Sequence, residues 1–261
     1  MMMTLSGNKL VLYSMDNITF CIPLLVDSPD RLENITLVKK YLSQITNNIL
    51  IGEYDKTQKY PESIFYYNPT DYFHKTWVLN QLYKKATTDI VVMYDSDVFI
   101  PIPQLQAAYE KIQTADLVYP YDGRFYNFDR RYKNLLVEGR FNELRLGENL
   151  HQKYDDAGTL ISTISYGGCV FHKKASLREI GWENELFKSW GSEDTAKYYI
   201  FKNYGMKIDR TSGVIYHLHH ERTLNSSETN PFNYANQIEC DKIVNMNREQ
   251  IQNYIKGWSW R

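Results

Sequence analysis

An apolar run that ends abruptly at two carboxylates is the feature that most constrains the fold of this chain. Residues 90–94 read Ile-Val-Val-Met-Tyr, and Asp95-Ser96-Asp97 follow directly. Such a run, too short to span a membrane, predicts a strand buried on both faces, as in the middle of a parallel sheet. Ligands of open α/β sheets bind just beyond the carboxyl ends of strands. The paired acids therefore predict a hard divalent metal that holds phosphate oxygens, although Asp-x-Asp also occurs in turns and helix caps.

The segments before this run have the order of a nucleotide-binding half-fold. Residues 19–26 and 49–53 predict two further buried strands. Ser28-Pro29 is typical of a helix start, with a hydroxyl at the N-cap and proline at the first helical position. A second helix is predicted over about 72–85. The resulting β-α-β-α-β order implies parallel strands joined by right-handed crossovers.

The second half of the chain is less regular. Residues 123–163 are rich in Arg, Asn, Asp and Gly, which predicts a binding insert with a short helix around 132–146. The later elements are predicted as a strand over 165–171, with glycines where the backbone approaches something closely, a helix over 193–204 that ends at Gly205, strands over 206–209 and 214–217, and a final helix over 237–255.

Composition limits the classes of protein to which the chain can belong. With 261 residues it can form one large α/β domain, which we expect over 1–222, and a helical tail over 223–261. A net charge of -1 gives no general reason to expect a nucleic-acid partner. The three cysteines are far apart and odd in number, so we expect no disulfide framework and a cytoplasmic location.

The C-terminal end leaves a membrane contact open. No run of about 18 apolar residues exists, so no segment is expected to span a bilayer. Trp258, Trp260 and Lys256 could nevertheless touch a membrane surface peripherally. Packing of this segment against the domain is the alternative.

A second acidic pair, Glu193-Asp194, follows Trp190-Gly191-Ser192. These acids lie at a predicted helix N-terminus, where the helix dipole favours ionised carboxylates. The pattern therefore indicates two functional acids beside a glycine turn. Simple capping, with Ser192 as the N-cap, is the alternative.

Half of the six histidines fall within His217-Leu218-His219-His220. On a strand, the side chains of His217 and His219 point to the same face, whereas in a turn His217 and His220 could converge. Imidazole ligands added to carboxylates suit Mn²⁺ or another transition ion better than Mg²⁺. A solvated polar turn is the alternative.

The order of these three groups resembles metal-dependent glycosyltransferases of the GT-A fold, in particular inverting β-1,4-galactosyltransferases and related bacterial family-2 enzymes. The resemblance covers about Phe20 to Arg222. It implies an α/β fold with a Rossmann-like mixed sheet flanked by helices, and Mn²⁺ as cofactor with Mg²⁺ as the second choice. It also implies transfer of a sugar, galactose or N-acetylgalactosamine, from a UDP-sugar to a hydroxyl of a carbohydrate or glycoconjugate acceptor, as in polysaccharide synthesis.

The same resemblance assigns the metal ligands and the ribose contact by position. Asp97 is implied as the metal-binding acid, and Asp95 as the partner that contacts the donor ribose. The histidine alignment is ambiguous, since one branch of the family uses spacing that matches His217 and His220 and another uses a His-x-His pair. His217 satisfies both branches, and His219 and His220 remain open.

Further residues are implied to hold the nucleotide. Residues 73–80 resemble the family's Phe-x-Arg-x-x-x-Leu-Asn helix, in which the aromatic stacks on uracil and the basic residue contacts the nucleotide. Phe73 takes the first role, with plain core packing as its alternative. Lys75 replaces the usual Arg and loses its planar fork. Asp27 and Arg31 match the loop that holds the base and the diphosphate.

The resemblance implies that the second acidic group carries the chemistry. Trp190 matches a tryptophan of a mobile, closing loop, Glu193 an acid that contacts the acceptor or orients the site, and Asp194 the catalytic base. We expect the acceptor to contact the insert at 123–163. Two other classes remain open: a metal-dependent nucleotidyltransferase or phosphohydrolase that uses the same acids, and a non-catalytic nucleotide-sugar-binding module.

Overall fold

Two β-sheets with flanking helices form the part of the chain that the computed structural model describes, residues 14–128, 130–137, 154–155 and 158–261. The helices are α1 (Pro29–Leu42), α2 (Lys75–Lys85), α3 (Ile102–Ile112), α4 (Arg130–Val137), α5 (Lys174–Glu179), α6 (Glu193–Tyr204), α7 (Asn233–Val244) and α8 (Arg248–Lys256). The strands are β1 (Ile18–Leu24), β2 (Ile49–Asp55), β3 (Ile64–Tyr67), β4 (Ile90–Tyr94), β5 (Val98–Phe99), β6 (Leu117–Tyr119), β7 (Phe125–Phe128), β8 (Tyr154–Asp155), β9 (Gly158–Ser162), β10 (Cys169–Lys173), β11 (Ile208–Arg210) and β12 (Ile215–His217).

The larger sheet has seven strands in the order β11-β6-β10-β4-β1-β2-β3. The predicted apolar run forms β4, the central strand, and all of its residues are buried. β1 pairs in parallel with β2 and β4, which confirms the predicted half-fold. β10 pairs antiparallel with β4 and β6, so the sheet is mixed.

Helices α1 and α2 cross between the parallel strands as predicted. Ser28 is the N-cap of α1, and its side-chain oxygen accepts a hydrogen bond from the backbone N–H of Arg31 at 3.3 Å. Helix α2 packs closely on β2, because a Cβ added at Gly52 would lie 2.7 Å from Cγ1 of Val78. The tight fit places the start of α2 beside the carboxyl ends of the strands.

The smaller sheet, in the order β5-β12-β7-β9-β8, brings distant segments to the Asp-x-Asp turn. β5 begins directly after Asp97 and pairs antiparallel with β12, with Val98 opposite His217. The backbone N–H of Leu218 donates to the Asp97 carbonyl at 2.7 Å. β7 pairs with the other edge of β12, in parallel, with Asn127 opposite His217. The histidines are thereby fixed beside the acids.

In the first half of the chain, the start of α2 differs from the prediction, and several elements, β3 among them, were not predicted. Helix α2 begins at Lys75, not at 72, because the backbone N–H of Phe73 donates to Asn225 and its carbonyl accepts from Ser189. Strand β3 was not predicted. It is a four-residue edge strand that is only partly buried, so it lacks the continuous apolar run that identifies the central strands.

The C-terminal elements also differ. The final helix, predicted as one, is divided into α7 and α8, because Asn247 caps α8 by accepting from the backbone N–H of Gln250 at 3.0 Å. The helix predicted over 132–146 corresponds to α4 up to Val137. Its remainder, 138–146, lies outside the described residues.

The C-terminal tryptophans pack against the domain. Trp258 is 7% exposed and its ring stacks on Trp260 with centroids 5.0 Å apart. For Trp258, the structure therefore agrees with packing against the domain, the alternative to a membrane contact. None of the helices over the described residues combines the length and apolar character that crossing a bilayer requires.

Candidate active site

A pocket of about 450 Å³ opens where β1 and β4 end and β12 passes beside them. Its volume is within the range of small-ligand sites. The structure brings together every predicted site residue except His219, and these line the pocket: Asp27, Arg31, Phe73, Lys75, Asp95, Asp97, Trp190, Glu193, Asp194, His217 and His220. The Asp-x-Asp turn, the Glu193-Asp194 pair and the histidine group, which are far apart in sequence, thus line one pocket.

One wall of the pocket carries a group of three metal-ligating side chains. Donor atoms of Asp97, His217 and His220 all lie within 4.8 Å of one another. Oδ2 of Asp97 is 3.8 Å from Nε2 of His217 and 3.4 Å from Nε2 of His220. His219 is outside this group: its side chain is half exposed, and Nδ1 lies 3.7 Å from Oδ2 of Asp30.

Hydrogen bonds on the far side of each ring select the tautomer that can bind a metal. Nδ1 of His217 donates to Oδ1 of Asn127 at 3.1 Å. Nδ1 of His220 donates to the Glu221 carbonyl at 2.7 Å. Both protons are therefore on Nδ1, and the Nε2 lone pairs face Asp97. Such outer partners are typical of histidine ligands.

The ionisation of these groups also fits a metal site. Burial lowers the pKa of His217 to about 4 and that of His220 below its usual value, with Asp97 opposing both shifts. Burial acts to raise the pKa of Asp97, but Arg31 and the two histidines outweigh it and the net pKa is lowered. Neutral imidazoles and an ionised carboxylate are the forms that bind metals. This donor set fits Mn²⁺ or another transition ion.

Arg31 links the metal group to the loop after β1. Its Nη1 lies 2.5 Å from Oδ2 of Asp97 and its Nε lies 3.1 Å from Oδ1 of Asp27. Oδ2 of Asp27 accepts from the Thr223 hydroxyl at 2.5 Å. The first turn of α1 thus presents a fixed cation at the metal group, as the predicted diphosphate contact requires.

Lys75 lies among three acids that line the same pocket, here called the acidic wall. Its Nζ lies 3.1 Å from Oδ1 of Asp95, 3.4 Å from Oε1 of Glu193 and 3.4 Å from Oδ2 of Asp194. Burial acts to lower the pKa of Lys75, but the three carboxylates outweigh it and raise the pKa well above its usual value. Lys75 is therefore cationic, and in this structure it bridges the acids of β4 and α6.

Two of these acids hold their protons more tightly than usual. Burial and the neighbouring Asp194 raise the pKa of Glu193 to about 7, with Lys75 opposing. Burial also raises the pKa of Asp95 to about 6. At Glu193, burial and the neighbouring Asp194 therefore oppose the ionised form that the helix N-terminus favours. Ser192 is not a side-chain cap: its hydroxyl bonds Gln237 at 2.9 Å.

The glycine pair before β10 makes room for Asp194. A Cβ added at Gly167 would lie 2.4 Å from Oδ2 of Asp194. The Gly167 carbonyl accepts from the Tyr121 hydroxyl at 2.7 Å, which fixes the backbone there. The predicted close approach at these glycines is therefore to an acid of α6.

The loop that carries Trp190 is tied to the C-terminal segment. Asn236 of α7 accepts from the N–H of Lys188 at 3.2 Å and donates to the carbonyls of Lys188 and Trp190 at 2.8 and 3.0 Å. The Ser189 hydroxyl donates to Asn225 at 2.6 Å. The sequence analysis did not identify Asn127, Asn225 or Asn236 as site residues. Asparagine is frequent throughout the chain, and no motif distinguishes these three positions.

The raised pKa of Glu193 makes stability fall as pH rises. Its folded value of about 7 lies above the ordinary value of 4.5, so its contribution is complete below pH 4.5 and is lost as pH rises to 7. Over this window the unfolding free energy of the wild-type chain should fall relative to that of Glu193→Gln, by up to about 3 kcal/mol. Urea unfolding with EDTA at several pH values measures the difference. Glu228→Gln, at an exposed position, is the control, and parallel curves for wild type and Glu193→Gln would contradict the prediction.

Comparison with known proteins agrees with this architecture. Glycosyl transferase family 2 matches residues 50–181, half of the chain. The structure is similar to TarS 1-349 from S. aureus, with a TM-score of 0.53 and 13% identity over 93% of this chain and 72% of that one. No curated protein sequence matches.

Two other solved structures are more distant. The catalytic domain of Drosophila beta1,4galactosyltransferase 7 has a TM-score of 0.46 and 12% identity over 82% of this chain and 78% of that one. Glucosyl-3-phosphoglycerate synthase from Mycobacterium tuberculosis has a TM-score of 0.47 and 14% identity over 81% and 74%. The predicted GT-A fold is confirmed by the mixed sheet and the similarity to TarS. The chain belongs to glycosyl transferase family 2 and is a glycosyltransferase.

Proposed function

We propose that this glycosyltransferase is metal-dependent and inverting, and that it moves a sugar from a UDP-sugar to an acceptor hydroxyl. One observation carries the proposal: a three-donor metal group and a pair of half-buried acids line one pocket. The donor sugar is proposed as galactose or N-acetylgalactosamine on the sequence resemblance. Family membership favours this function over a nucleotidyltransferase, a phosphohydrolase or a binding module.

The metal-side residues suit the leaving group. Asp97, His217 and His220 would hold the ion, which when bound neutralises the pyrophosphate as the glycosidic bond breaks. Arg31, already 2.5 Å from Asp97, is placed to contact the same phosphates. Asp95, at the end of β4, is the proposed ribose contact. Phe73 lines the same pocket and is the proposed platform for uracil.

The acidic wall suits the acceptor. The acceptor oxygen attacks the anomeric carbon as the bond to the phosphate oxygen breaks, and the bonding pair leaves with UDP. Asp194 Oδ2, which faces the space kept by Gly167, takes the hydroxyl proton. A base on the side opposite the leaving group gives inversion in a single displacement. Glu193 beside it is proposed to orient the acceptor, and Trp190 to shield the sugars from water.

The acceptor itself is proposed to lie against the insert. Ile161, Ile164 and Tyr166 line the pocket on the side of Asp194. Both isoleucines are exposed, so this edge can pack against a ligand without rearrangement of the core. The proposal extends the predicted role of residues 123–163 to the adjoining Ile164 and Tyr166. Residues 129, 138–153 and 156–157 lie outside the described residues.

A donor panel tests the function directly. The protein is incubated with Mn²⁺ and UDP-galactose, UDP-N-acetylgalactosamine, UDP-glucose or UDP-N-acetylglucosamine, the last because the TarS structure contains it. Simple glycosides serve as acceptors and water as the background acceptor. We expect release of UDP, loss of release with EDTA, and a β-linked product by NMR from an α-linked donor.

Other products would identify other functions. Release of UMP or pyrophosphate would overturn the proposal in favour of phosphodiester chemistry. Tight Mn²⁺-dependent UDP binding without turnover of any donor would favour a binding module. An α-linked product would refute inversion while leaving sugar transfer intact.

A further inference from the structure

A buried ion pair lies next to Asp194, between two residues that do not line the pocket. The side chains of Lys197 and Glu183 are 4% and 3% exposed, and Nζ of Lys197 lies 2.8 Å from Oε1 of Glu183. The Tyr83 hydroxyl donates to the same Glu183 oxygen at 3.1 Å. Removing two charges from water is costly, and a buried pair adds little stability compared with an apolar pair of similar size. This pair is therefore a candidate for a functional role.

Lys197 also faces the proposed base. It is three residues after Asp194 on α6, so both side chains lie on one face of the helix. Its Nζ lies 3.7 Å from Oδ1 of Asp194. That oxygen is buried, and no donor of the described residues is within hydrogen-bond distance of it. Oδ2, the other oxygen, faces Lys75 and Gly167.

The two lysines have different surroundings. Lys75 lines the pocket and lies within reach of a bound donor. Lys197 does not line the pocket and is held by Glu183, with Sδ of Met93 at 3.1 Å. A donor phosphate that draws Lys75 away from Asp194 would leave Lys197 as the cation beside that carboxylate.

We infer that Lys197 is a positioning residue, which holds the Asp194 carboxylate charged and oriented through Oδ1, while Glu183 and Tyr83 hold Lys197. The inference rests on the proposed function, in which Asp194 is the base. A lysine at this distance stabilises the ionised carboxylate. It leaves Oδ2 as the oxygen directed to the acceptor hydroxyl.

Other charged groups also face Asp194 and enter the test. They come from α2, the end of β4, the first turn of α6 and the loop after α5, and they are Lys75, Asp95, Glu193 and Glu183. The titratable hydroxyls of Tyr83 on α2, Tyr119 on β6 and Tyr121 just after β6 also interact with Asp194. Because Glu193 has a pKa of about 7, its titration must be separated from that of the base. A Glu193→Gln background does this.

Paired substitutions test the inference. Glu183→Gln/Lys197→Met replaces the ion pair by neutral side chains of similar size, so that no single charge is left buried, and Glu183→Gln alone keeps the cation as the matched control. The rate measured is UDP release from the UDP-sugar that the wild type consumes, with saturating Mn²⁺, as a function of pH. Both variants are repeated in the Glu193→Gln background.

We expect the double variant to lose about 10- to 100-fold in kcat, up to the loss that a misplacement of about 1 Å causes. The acid limb of its kcat profile should move to higher pH, since the carboxylate loses a cation. UDP binding with Mn²⁺ should be unchanged. Glu183→Gln alone should show no shift to higher pH.

The outcomes separate this inference from the proposed function. If the wild type releases no UDP, or if Asp194→Asn keeps full activity, the proposed function or its base fails. The proposed function stands if the wild type is active and Asp194→Asn is not. In that case, superimposable pH profiles and equal kcat for the double variant and Glu183→Gln would overturn only the role of Lys197. If the double variant instead loses both UDP binding and kcat without a shift of its pH profile, the role of the pair is structural, and the inferred positioning role of Lys197 is also overturned.

Discussion

Asp194→Asn should lower the rate of sugar transfer by roughly 10³- to 10⁴-fold, the upper part of the range for loss of a general base. Asparagine has nearly the same shape, so the contact with the backbone at Gly167 is kept. It cannot take the acceptor proton, because an amide oxygen is a far weaker base than a carboxylate. Asp194 is outside the metal group of Asp97, His217 and His220, so Mn²⁺-dependent UDP binding should stay within a few-fold of the wild type.

The measurement pairs steady-state UDP release with calorimetric titration of UDP in the presence of Mn²⁺. Asp89→Asn is the matched control, because Asp89 is exposed and precedes the amino end of β4, away from Asp95. It should leave both quantities unchanged. Transfer by Asp194→Asn at more than a tenth of the wild-type rate would mean that another group is the base.

Asp97→Ala should weaken Mn²⁺ binding by about 100-fold or more, and UDP-sugar binding with it. Loss of an outer-shell partner alone costs about 10- to 100-fold in metal affinity, and here a proposed ligand itself is removed. Two neutral imidazoles would remain without the anionic donor, and Arg31 would lose the closer of its two carboxylates. Fold stability should change little, since the surrounding β5 and β12 pairing is made by the backbone.

Thermal shift with Mn²⁺ alone, with UDP alone and with both gives the two affinities, since binding raises apparent stability according to ligand concentration over Kd. The matched control is His219→Ala, two residues from His217 but outside the metal group. It should bind Mn²⁺ as the wild type does. If Asp97→Ala binds Mn²⁺ as tightly as the wild type does, the proposed metal site is excluded. If His219→Ala loses Mn²⁺ affinity, the His-x-His pair of His217 and His219 binds the metal instead.

The parts of the fold that could be predicted from sequence are those set by local chemistry. The buried strand β4 follows from its unbroken apolar run, and the start of α1 from Ser28-Pro29. The end of α6 follows from Gly205, whose φ of 87° is in the left-handed region that favours glycine. In contrast, β3 depends on pairing at the edge of the sheet, and the break between α7 and α8 depends on a polar N-cap. Neither feature changes the hydrophobic pattern of the sequence enough to be predicted from it.

The site divides in the same way. Its residue types were readable because acids and histidines stand in compact motifs, but their mutual geometry depends on strand register. Asn127 orients His217 only because β7 lies beside β12, 90 positions apart in sequence. Lys197 and Glu183 read as ordinary surface charges of a helix and a loop. Their burial against α2 is a tertiary outcome that no local pattern encodes.

The asparagine contacts between α7 and the Trp190 loop have a consequence for how the protein unfolds. Because Asn236 is 2% exposed and satisfies three backbone groups of that loop, the tail and the pocket rim should open together as one cooperative unit. Amide exchange at Lys188 should then report the opening of α7. The segment after residue 222 would then be distinct in sequence, but its unfolding would be coupled to that of the pocket rim.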